Sequence, residues 1–307
     1  MSDVSNKSET GDKSEIGDKG ETGDKADGHG TALVLGGGGP VGGAWMTGVL
    51  AGLADAGIDL QSADVVIGTS AGAIYGARMA CGESARELYE RQLARADRID
   101  LPVTTAQTLR FLWAALGSRD SQGSVRRLGR AALAARTAPE SDVRRTLATL
   151  LRDATAWPAD TDLRITAIDA HTGSLEAFDA AGQVTLAEAV AASCAVPIVW
   201  PPASAAGRRW IDGGSRATAN IQLARGYRRV LAIAPLTSAP GPHPSARQQA
   251  AELAAAGADI LLVSPDRTAR RAMGRDMAAD APRPGAARAG HAQATALADA
   301  VSRLWKV

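Results

Sequence analysis

Four short segments of this 307-residue chain carry residue types that could do chemistry together. In chain order they are Gly36–Gly42, Gly68–Gly72, Ala192–Pro197 and Asp212–Gly214. The first offers a cluster of backbone N–H donors, the second a serine on a tight turn, and the last a carboxylate followed by two glycines. Together they offer the groups that a serine hydrolase would need if its base were an aspartate and not a histidine.

Ser70 has the sequence context of a nucleophile elbow, the strand-to-helix turn that exposes a serine hydroxyl. It is the centre of Gly68-Thr69-Ser70-Ala71-Gly72, which follows an apolar run and precedes a stretch of small helix formers. Gly68 and Gly72 allow backbone and helix to approach the serine without a Cβ clash. At the N-terminus of a helix, free N–H groups and the dipole favour developing negative charge beside the hydroxyl.

Asp212, which is followed by Gly213, is the candidate base. A serine hydroxyl is a poor nucleophile until a base accepts its proton, and an aspartate with its ordinary pKa is a weak base. Burial would have to raise the pKa of Asp212 while leaving it ionised at the working pH. Trp210 and Ile211 precede it and favour such an environment. An aspartate that only caps a turn is the alternative interpretation.

Two other kinds of site compete for these residues. A G-x-G-x-x-G pattern begins at Gly37, but a dinucleotide site also needs an acidic residue at the end of the second strand. The nearest acids, Asp59 and Asp64, precede that strand. A histidine triad with His243 or His291 has a formally possible order, although only one strand precedes the strand that leads into the serine, where a nucleophile of that kind normally follows several. We therefore predict that the histidines are structural or exposed.

Alternating strands and helices with short connections must position these segments, and they indicate a mainly parallel sheet in an α/β fold. Residues 84–157 contain few strand signals and are predicted to form a helical excursion that covers the site. Residues 238–248 and 281–290 are predicted loops. The predicted strands are 31–35, 63–67, 163–168, 174–178, 209–211, 230–234 and 260–263, and the predicted helices are 41–57, 71–80, 186–193 and 291–305.

Composition excludes several classes of function. A net charge of +1 offers no argument for binding nucleic acid, and two cysteines provide neither a disulfide framework nor metal spacing. We predict no metal and no organic cofactor. The chain has no signal peptide pattern and no apolar run of about 20 residues, so a cytoplasmic protein is expected. Nothing in the sequence indicates an oligomeric state.

The first 30 residues differ from the rest of the chain. They hold eight acids and four lysines around the hexapeptides SETGDK, SEIGDK and GETGDK, which offer almost nothing to bury. Such a segment cannot offset its ordering entropy, so residues 1–30 are predicted to form a disordered tail. Residues 31–307 are predicted to form one folded domain.

With these motifs laid out, residues 31–235 resemble the patatin-like phospholipase family. The glycine run is similar to the oxyanion-hole loop of the family, and the serine turn is similar to its nucleophile elbow. Ala192–Pro197 is similar to its Ala-Ser-x-Ala-x-Pro block, and Asp212-Gly213 to its catalytic Asp-Gly pair. The set covers most of the chain and occurs in the family's order.

The resemblance implies a three-layer α/β/α sandwich and a hydrolase domain at residues 31–307. It implies that a Ser70–Asp212 dyad hydrolyses acyl esters of lipids through an acyl-serine intermediate. The N–H groups of Gly37, Gly38 and Gly39 would stabilise the oxyanion. The expected activity is that of a phospholipase A, a lysophospholipase or a related serine esterase.

This chain departs from the family pattern after the triple glycine. The family commonly has Arg or Lys two positions on, where Pro40-Val41 stands here. Because that positive charge is missing, a neutral ester or lysolipid is as good a candidate substrate as a phospholipid. The alternative hypothesis is a catalytically weak family member with an interaction or regulatory role.

Peripheral contact with a membrane is a separate hypothesis. Arginine-rich segments, which include Arg126-Arg127, Arg130, Arg136 and Arg144-Arg145, could approach an anionic interface. Solvated helix faces explain the same pattern, and both interpretations stay open.

Overall fold

The strand that leads into the serine turn lies in the middle of a mixed sheet. The computed structural model describes residues 30–98 and 103–305, and within these ranges eight strands form one sheet. Its order is β5-β6-β3-β2-β1-β7-β8, with β4 paired to β3. The strands are β1 (Thr31–Leu35), β2 (Val65–Gly68), β3 (Asp162–Asp169), β4 (Leu175–Phe178), β5 (Ala203–Ala205), β6 (Arg208–Asp212), β7 (Arg229–Ile233) and β8 (Asp259–Val263).

The predicted mainly parallel sheet is confirmed. Strands β3, β2, β1, β7 and β8 form a parallel block, and β4, β5 and β6 pair antiparallel. Along β3, Gly68 pairs with Ile165 and Asp212 pairs with Ala167. The carboxyl ends of β2 and β6 are therefore two residues apart along one strand, which brings the serine turn and Asp212 together.

Helices cover both faces of the sheet and complete the predicted three layers. On β1, Leu33 and Leu35 belong to one apolar core while Ala32 and Val34 belong to another, because successive strand residues point to opposite faces. The helices are α1 (Gly39–Asp55), α2 (Ala71–Ala80), α3 (Ala85–Leu93), α4 (Thr105–Leu116), α5 (Ser121–Leu133), α6 (Glu140–Leu151), α7 (Leu186–Ser193), α8 (Ala246–Ala255), α9 (Arg267–Met273) and α10 (Arg283–Trp305).

The helical excursion predicted for residues 84–157 is present as α3, α4, α5 and α6. Serine, threonine and aspartate side chains cap three of these helices; for example, the Thr104 hydroxyl accepts a hydrogen bond from the Gln107 N–H at 3.2 Å. In the described part of the excursion, α4 and α5 pack on Ile168 and Ile211 of the sheet. The excursion is therefore anchored beside the strand that ends at Asp212.

The loop predicted for residues 281–290 is wrong, because α10 begins at Arg283 and not near His291. Its small residues allow close packing between helices. A Cβ added at Gly290 would lie 2.1 Å from the carbonyl oxygen of Trp45 in α1, and one added at Gly48 would lie 2.0 Å from that of Ala287. The glycines that looked like loop signals thus serve helix–helix contact.

The predicted tail, apart from Gly30, lies outside the described residues. Across residues 30–98 and 103–305, the helices include none long and apolar enough to cross a membrane.

Candidate active site

Ser70 occupies a strained turn between β2 and α2. Its φ of 54° and ψ of −118° are unusual for a residue that carries a side chain. Such strain persists only where the surroundings hold the backbone in place. Here the Ser70 N–H donates to Ser193 Oγ at 2.8 Å, and the Thr69 N–H donates to the Leu35 carbonyl at 3.0 Å.

The two glycines of the turn are required by close backbone contacts. A Cβ at Gly68 would lie 2.7 Å from Ala73 Cα, and a Cβ at Gly72 would lie 2.0 Å from the Leu35 carbonyl oxygen. Real Cβ atoms do not approach backbone this closely. The first turn of α2 therefore packs directly on the end of β1, as the sequence pattern predicts for Gly68 and Gly72.

Asp212 is buried at the end of β6, with 5% of its surface exposed. Its Oδ1 accepts a hydrogen bond of 2.6 Å from the Gly214 N–H, and its own N–H donates to the Ala195 carbonyl at 2.9 Å. Burial raises the pKa of Asp212 from 3.8 to about 6, although hydrogen bonds from the Ser70 side chain and the Gly214 N–H oppose that rise. The carboxylate is thus a stronger base than an ordinary aspartate, and the Ser70 side chain is near enough to affect its pKa.

Gly213 supports this geometry by the absence of a side chain. A Cβ at Gly213 would lie 2.4 Å from Thr166 Oγ1 and 2.7 Å from the Thr166 carbonyl oxygen, both in β3. The chain after Asp212 therefore turns tightly against β3, which keeps the Gly214 N–H within reach of the carboxylate.

The glycine loop lies next to Ser70, but its three predicted donors are not equivalent. A Cβ at Gly37 would lie 3.2 Å from Ser70 Cβ. The Gly37 N–H, however, donates to the Thr218 carbonyl at 2.7 Å, so in this structure it is occupied. Among the described residues, no protein group accepts from the N–H groups of Gly38, Gly39 or Ala71. Of the three predicted glycine donors, Gly38 and Gly39 are therefore available near the serine and Gly37 is not.

The Ala192–Pro197 block joins the two halves of the site. Ser193 Oγ accepts from the Ser70 N–H, and the Ala195 carbonyl accepts from the Asp212 N–H. Cys194 lies between them, where burial and the charge of Asp212 raise the pKa of its thiol well above the ordinary value. The thiol stays protonated at neutral pH, so Cys194 is an apolar wall of the site and not a second nucleophile.

Asn220 is a site residue that the sequence analysis missed. It is fully buried, in the left-handed conformation with φ 51°. Its Nδ2 donates to Thr69 Oγ1 at 3.1 Å, to Thr166 Oγ1 at 3.3 Å and to the Gly213 carbonyl at 3.3 Å. It therefore ties together the residue before Ser70 and the residue after Asp212. The one sequence signal is an amide between apolar Ala219 and Ile221, which indicates a buried group in need of partners.

An apolar cavity of about 290 Å³ opens beside Ser70. Pro40 lines it at the point where the family pattern has a basic residue, and the excursion contributes lining from α4 and α6. The cavity is lined by Gly39, Pro40, Ser70, Ala71, Ile74, Tyr75, Asp97, Val103, Thr108, Phe111, Leu150, Cys194, Val196, Val199, Trp200, Met277 and Ala278. A mostly hydrocarbon surface of this kind suits an acyl chain.

The histidines considered for a triad have other partners. His243 lies within hydrogen-bonding distance of Ser121 Oγ (2.8 Å) and Ser124 Oγ (3.2 Å), and burial lowers its pKa. His291 Nε2 is 2.9 Å from Asp55 Oδ2, at the end of α1 opposite the glycine loop. Neither histidine's contacts involve Ser70 or Asp212.

One family model and several solved structures match this chain. The family model described as patatin-like phospholipase matches residues 33–225. VipD from Legionella pneumophila is 14% identical, over 88% of this chain and 67% of its own, with a TM-score of 0.46. ExoU from Pseudomonas aeruginosa, solved with SpcU, is 16% identical, over 90% of this chain and 53% of its own, with a TM-score of 0.43.

This chain spans about two thirds of VipD and about half of ExoU. No curated protein sequence matches it significantly. The family model covers well over half of the chain, from β1 to the segment after Asp212. The chain therefore belongs to the patatin-like phospholipase family.

Proposed function

We propose that this protein is a serine acyl hydrolase that cleaves lipid esters through an acyl-Ser70 intermediate, with Asp212 as general base. One observation carries the proposal: burial raises the pKa of the Asp212 carboxyl to about 6, and strand pairing brings it so near Ser70, on its strained turn, that the serine side chain opposes part of that rise. Ser70 lines an apolar cavity. Family membership supports lipid hydrolysis in general.

In the acylation step, Ser70 Oγ attacks the ester carbonyl carbon and its proton passes to Asp212. A base with a pKa near the working pH accepts this proton and remains acidic enough to return it. When the tetrahedral intermediate collapses, the ester C–O bond breaks and Asp212 protonates the leaving alcohol. Water then attacks the acyl-serine, gives a proton to Asp212, and releases the fatty acid as Ser70 regains its proton.

The developing oxyanion would be stabilised by the N–H groups of Gly38 and Gly39, at the positive end of the α1 dipole. Ala71, at the start of α2, offers a third N–H. Loss of one such donor typically lowers the rate by about 100- to 1,000-fold. Gly37 instead holds the loop in place through Thr218.

The substrate would present an acyl chain to the cavity. Pro40 and Met277 line the cavity near the glycine loop, where a phosphate-binding side chain would otherwise be expected. Neutral esters and lysolipids are therefore included with diacyl phospholipids as candidate substrates. Hydrolysis of all three classes, measured in parallel with matched acyl chains, decides between them.

The dyad is tested with a soluble short-chain p-nitrophenyl ester and a fluorophosphonate probe. Ser70→Ala and Asp212→Asn should each lower kcat/KM by at least about 1,000-fold, and Ser70→Ala should abolish labelling. Ser174→Ala and Asp160→Asn, at exposed positions, are the matched controls. Unchanged turnover in either site variant would remove the dyad. Absence of turnover in the unaltered protein on every ester class would favour a non-catalytic role.

A further inference from the structure

Helix α4 has an apolar face that no part of the described protein covers. Leu109, Trp113 and Leu116 are 63%, 73% and 63% exposed. At about 100° per residue, these three side chains lie within an arc of about 60° on the helix surface. Single exposed apolar side chains are normal on a protein surface, but a group of large ones usually marks a contact surface.

The segment that carries this face is strongly cationic. Residues 103–136 contain six arginines and one aspartate, Asp120, which leaves a net charge of +5 on the α4–α5 hairpin. Asp120 is already engaged, since it caps α5 through the Gly123 N–H. In the described part of the chain, none of the six arginines pairs with an acidic side chain. The arginines are Arg110, Arg119, Arg126, Arg127, Arg130 and Arg136.

Positive charge and apolar surface are joined at Trp113. The Arg127 guanidinium lies over the Trp113 ring, 4.7 Å from its centroid. Arg110 follows Leu109 on α4, and Arg119 lies three residues beyond Leu116. Apolar anchors next to cations are the composition of segments that lie at an anionic lipid interface, where tryptophan is also favoured.

The same helix reaches the candidate acyl cavity. Thr108 and Phe111 of α4 line the cavity, and so does Val103, which is 40% exposed. The exposed apolar face and the cavity wall thus share one helix. A lipid at this surface would have a short path from the bilayer to Ser70.

We propose that the α4–α5 hairpin docks on an anionic lipid surface, with Leu109, Trp113 and Leu116 inserted among the acyl chains and the arginines at the phosphates. A second copy of the chain fits less well, because two such hairpins would bring like charges together. Docking would bring lipid esters to the cavity beside Ser70, and this role in supplying substrate rests on the proposed function. Binding itself does not require hydrolysis.

Binding is measured by flotation of the full chain carrying Ser70→Ala, which leaves the lipid intact. The vesicles contain phosphatidylcholine alone or with phosphatidylglycerol. We expect binding that depends on phosphatidylglycerol and weakens with salt. Leu109→Ser with Trp113→Ser should lower the partition coefficient at least tenfold. Leu236→Ser, at another exposed leucine, is the control and should leave it unchanged.

The contribution of the arginines to binding is tested with two matched double variants. Arg110→Gln with Arg119→Gln should lower the partition coefficient by about fivefold for each arginine removed. Arg271→Gln with Arg303→Gln removes two exposed arginines outside the hairpin and should have little effect. Equal losses in the two double variants would overturn the proposal, because the net charge of the whole chain would then explain the binding.

Insertion is tested directly by fluorescence quenching in the hairpin with its natural sequence, and one variant identifies the quenched residue. Brominated acyl chains should quench Trp113, and the quenching should be lost in Trp113→Phe. Absence of quenching, or equal flotation of the Leu109/Trp113 variant, would overturn the proposal. So would a concentration-dependent dimer that Trp113→Ser dissociates, since the face would then belong to a second copy.

The experiments distinguish failure of the proposed hydrolase function from failure of the proposed docking surface. Binding without hydrolysis of any ester leaves the docking surface intact and removes the proposed function. Hydrolysis of the soluble ester without vesicle binding does the reverse.

Discussion

Asp212→Asn should raise the free energy of unfolding at neutral pH, although the same substitution should abolish turnover there. Asp212 is buried, and the pKa of its carboxyl is raised from 3.8 to about 6 mainly by that burial. Asparagine has nearly the same shape, and its amide oxygen can still accept from the Gly214 N–H, which donates at 2.6 Å to Asp212. Asp212→Asn therefore removes a buried charge and retains a hydrogen bond.

The size of the gain follows from the two pKa values. The difference between 3.8 and about 6 corresponds to about 3 kcal/mol, at most, of destabilisation by the ionised carboxylate at neutral pH. The new amide N–H₂ group is a buried donor beside Ser70 whose hydrogen bonds are not all made, and this cost offsets part of the gain. We expect Asp212→Asn to raise the free energy of unfolding by about 1 to 3 kcal/mol above about pH 7.

The sign of the pH dependence is specific. Because the folded-state pKa of Asp212 lies above its unfolded-state value, the protonated group favours the folded state. Its contribution is full below about pH 3.8 and is lost as the pH rises through about 6. The advantage of Asp212→Asn should accordingly be largest near about pH 8 and shrink towards about pH 4, as measured by urea unfolding across this range.

Asp97 is the matched control. It is also buried, but hydrogen bonds and charges from Arg91 and Arg78 outweigh the effect of burial and lower the pKa of its carboxyl. Asp97→Asn should therefore destabilise the protein at neutral pH. If Asp212→Asn lowers stability as Asp97→Asn does, then Asp212 is a structural carboxylate with an ordinary or lowered pKa. Asp212 could not then be the base that Ser70 needs.

Three further predictions follow from the same geometry. The kcat/KM for a soluble ester should fall about tenfold per pH unit below about pH 6 and level off above it, because Asp212 must be ionised; a flat profile down to about pH 4 would contradict this. Gly72→Ala should destabilise the fold by more than about 4 kcal/mol in urea, because its Cβ meets the Leu35 carbonyl, whereas Gly182→Ala, whose Cβ would make only an ordinary 3.6 Å contact with the Asp179 carbonyl, should cost much less. Asn220→Ala should lower kcat more than it changes KM, because it loosens Thr69 and Gly213 without touching the cavity; an equal rise in KM would instead indicate damage to the cavity.

Local sequence was sufficient where one short segment decides the structure. The apolar run Thr31–Leu35 predicts β1 with its observed bounds, and Leu186–Ser193 predicts α7 equally well. The serine turn was also predictable, because glycine on both sides of Ser70 is a local requirement of a strained elbow. Gly290 misled the prediction of α10, since its role is contact with Trp45 in α1, more than 200 residues away in the chain.

The sequence by itself determined which residues are able to act: a serine at an elbow, a glycine run, and an aspartate before two glycines. Tertiary structure alone decided how they act together. Pairing of β2 and β6 along β3 brings Ser70 to Asp212, and burial then raises the pKa of the carboxyl. The Thr218 carbonyl occupies the Gly37 N–H, so Gly38 and Gly39 are left as donors. Burial and pairing are properties of neighbours distant in sequence, and no local pattern encodes them.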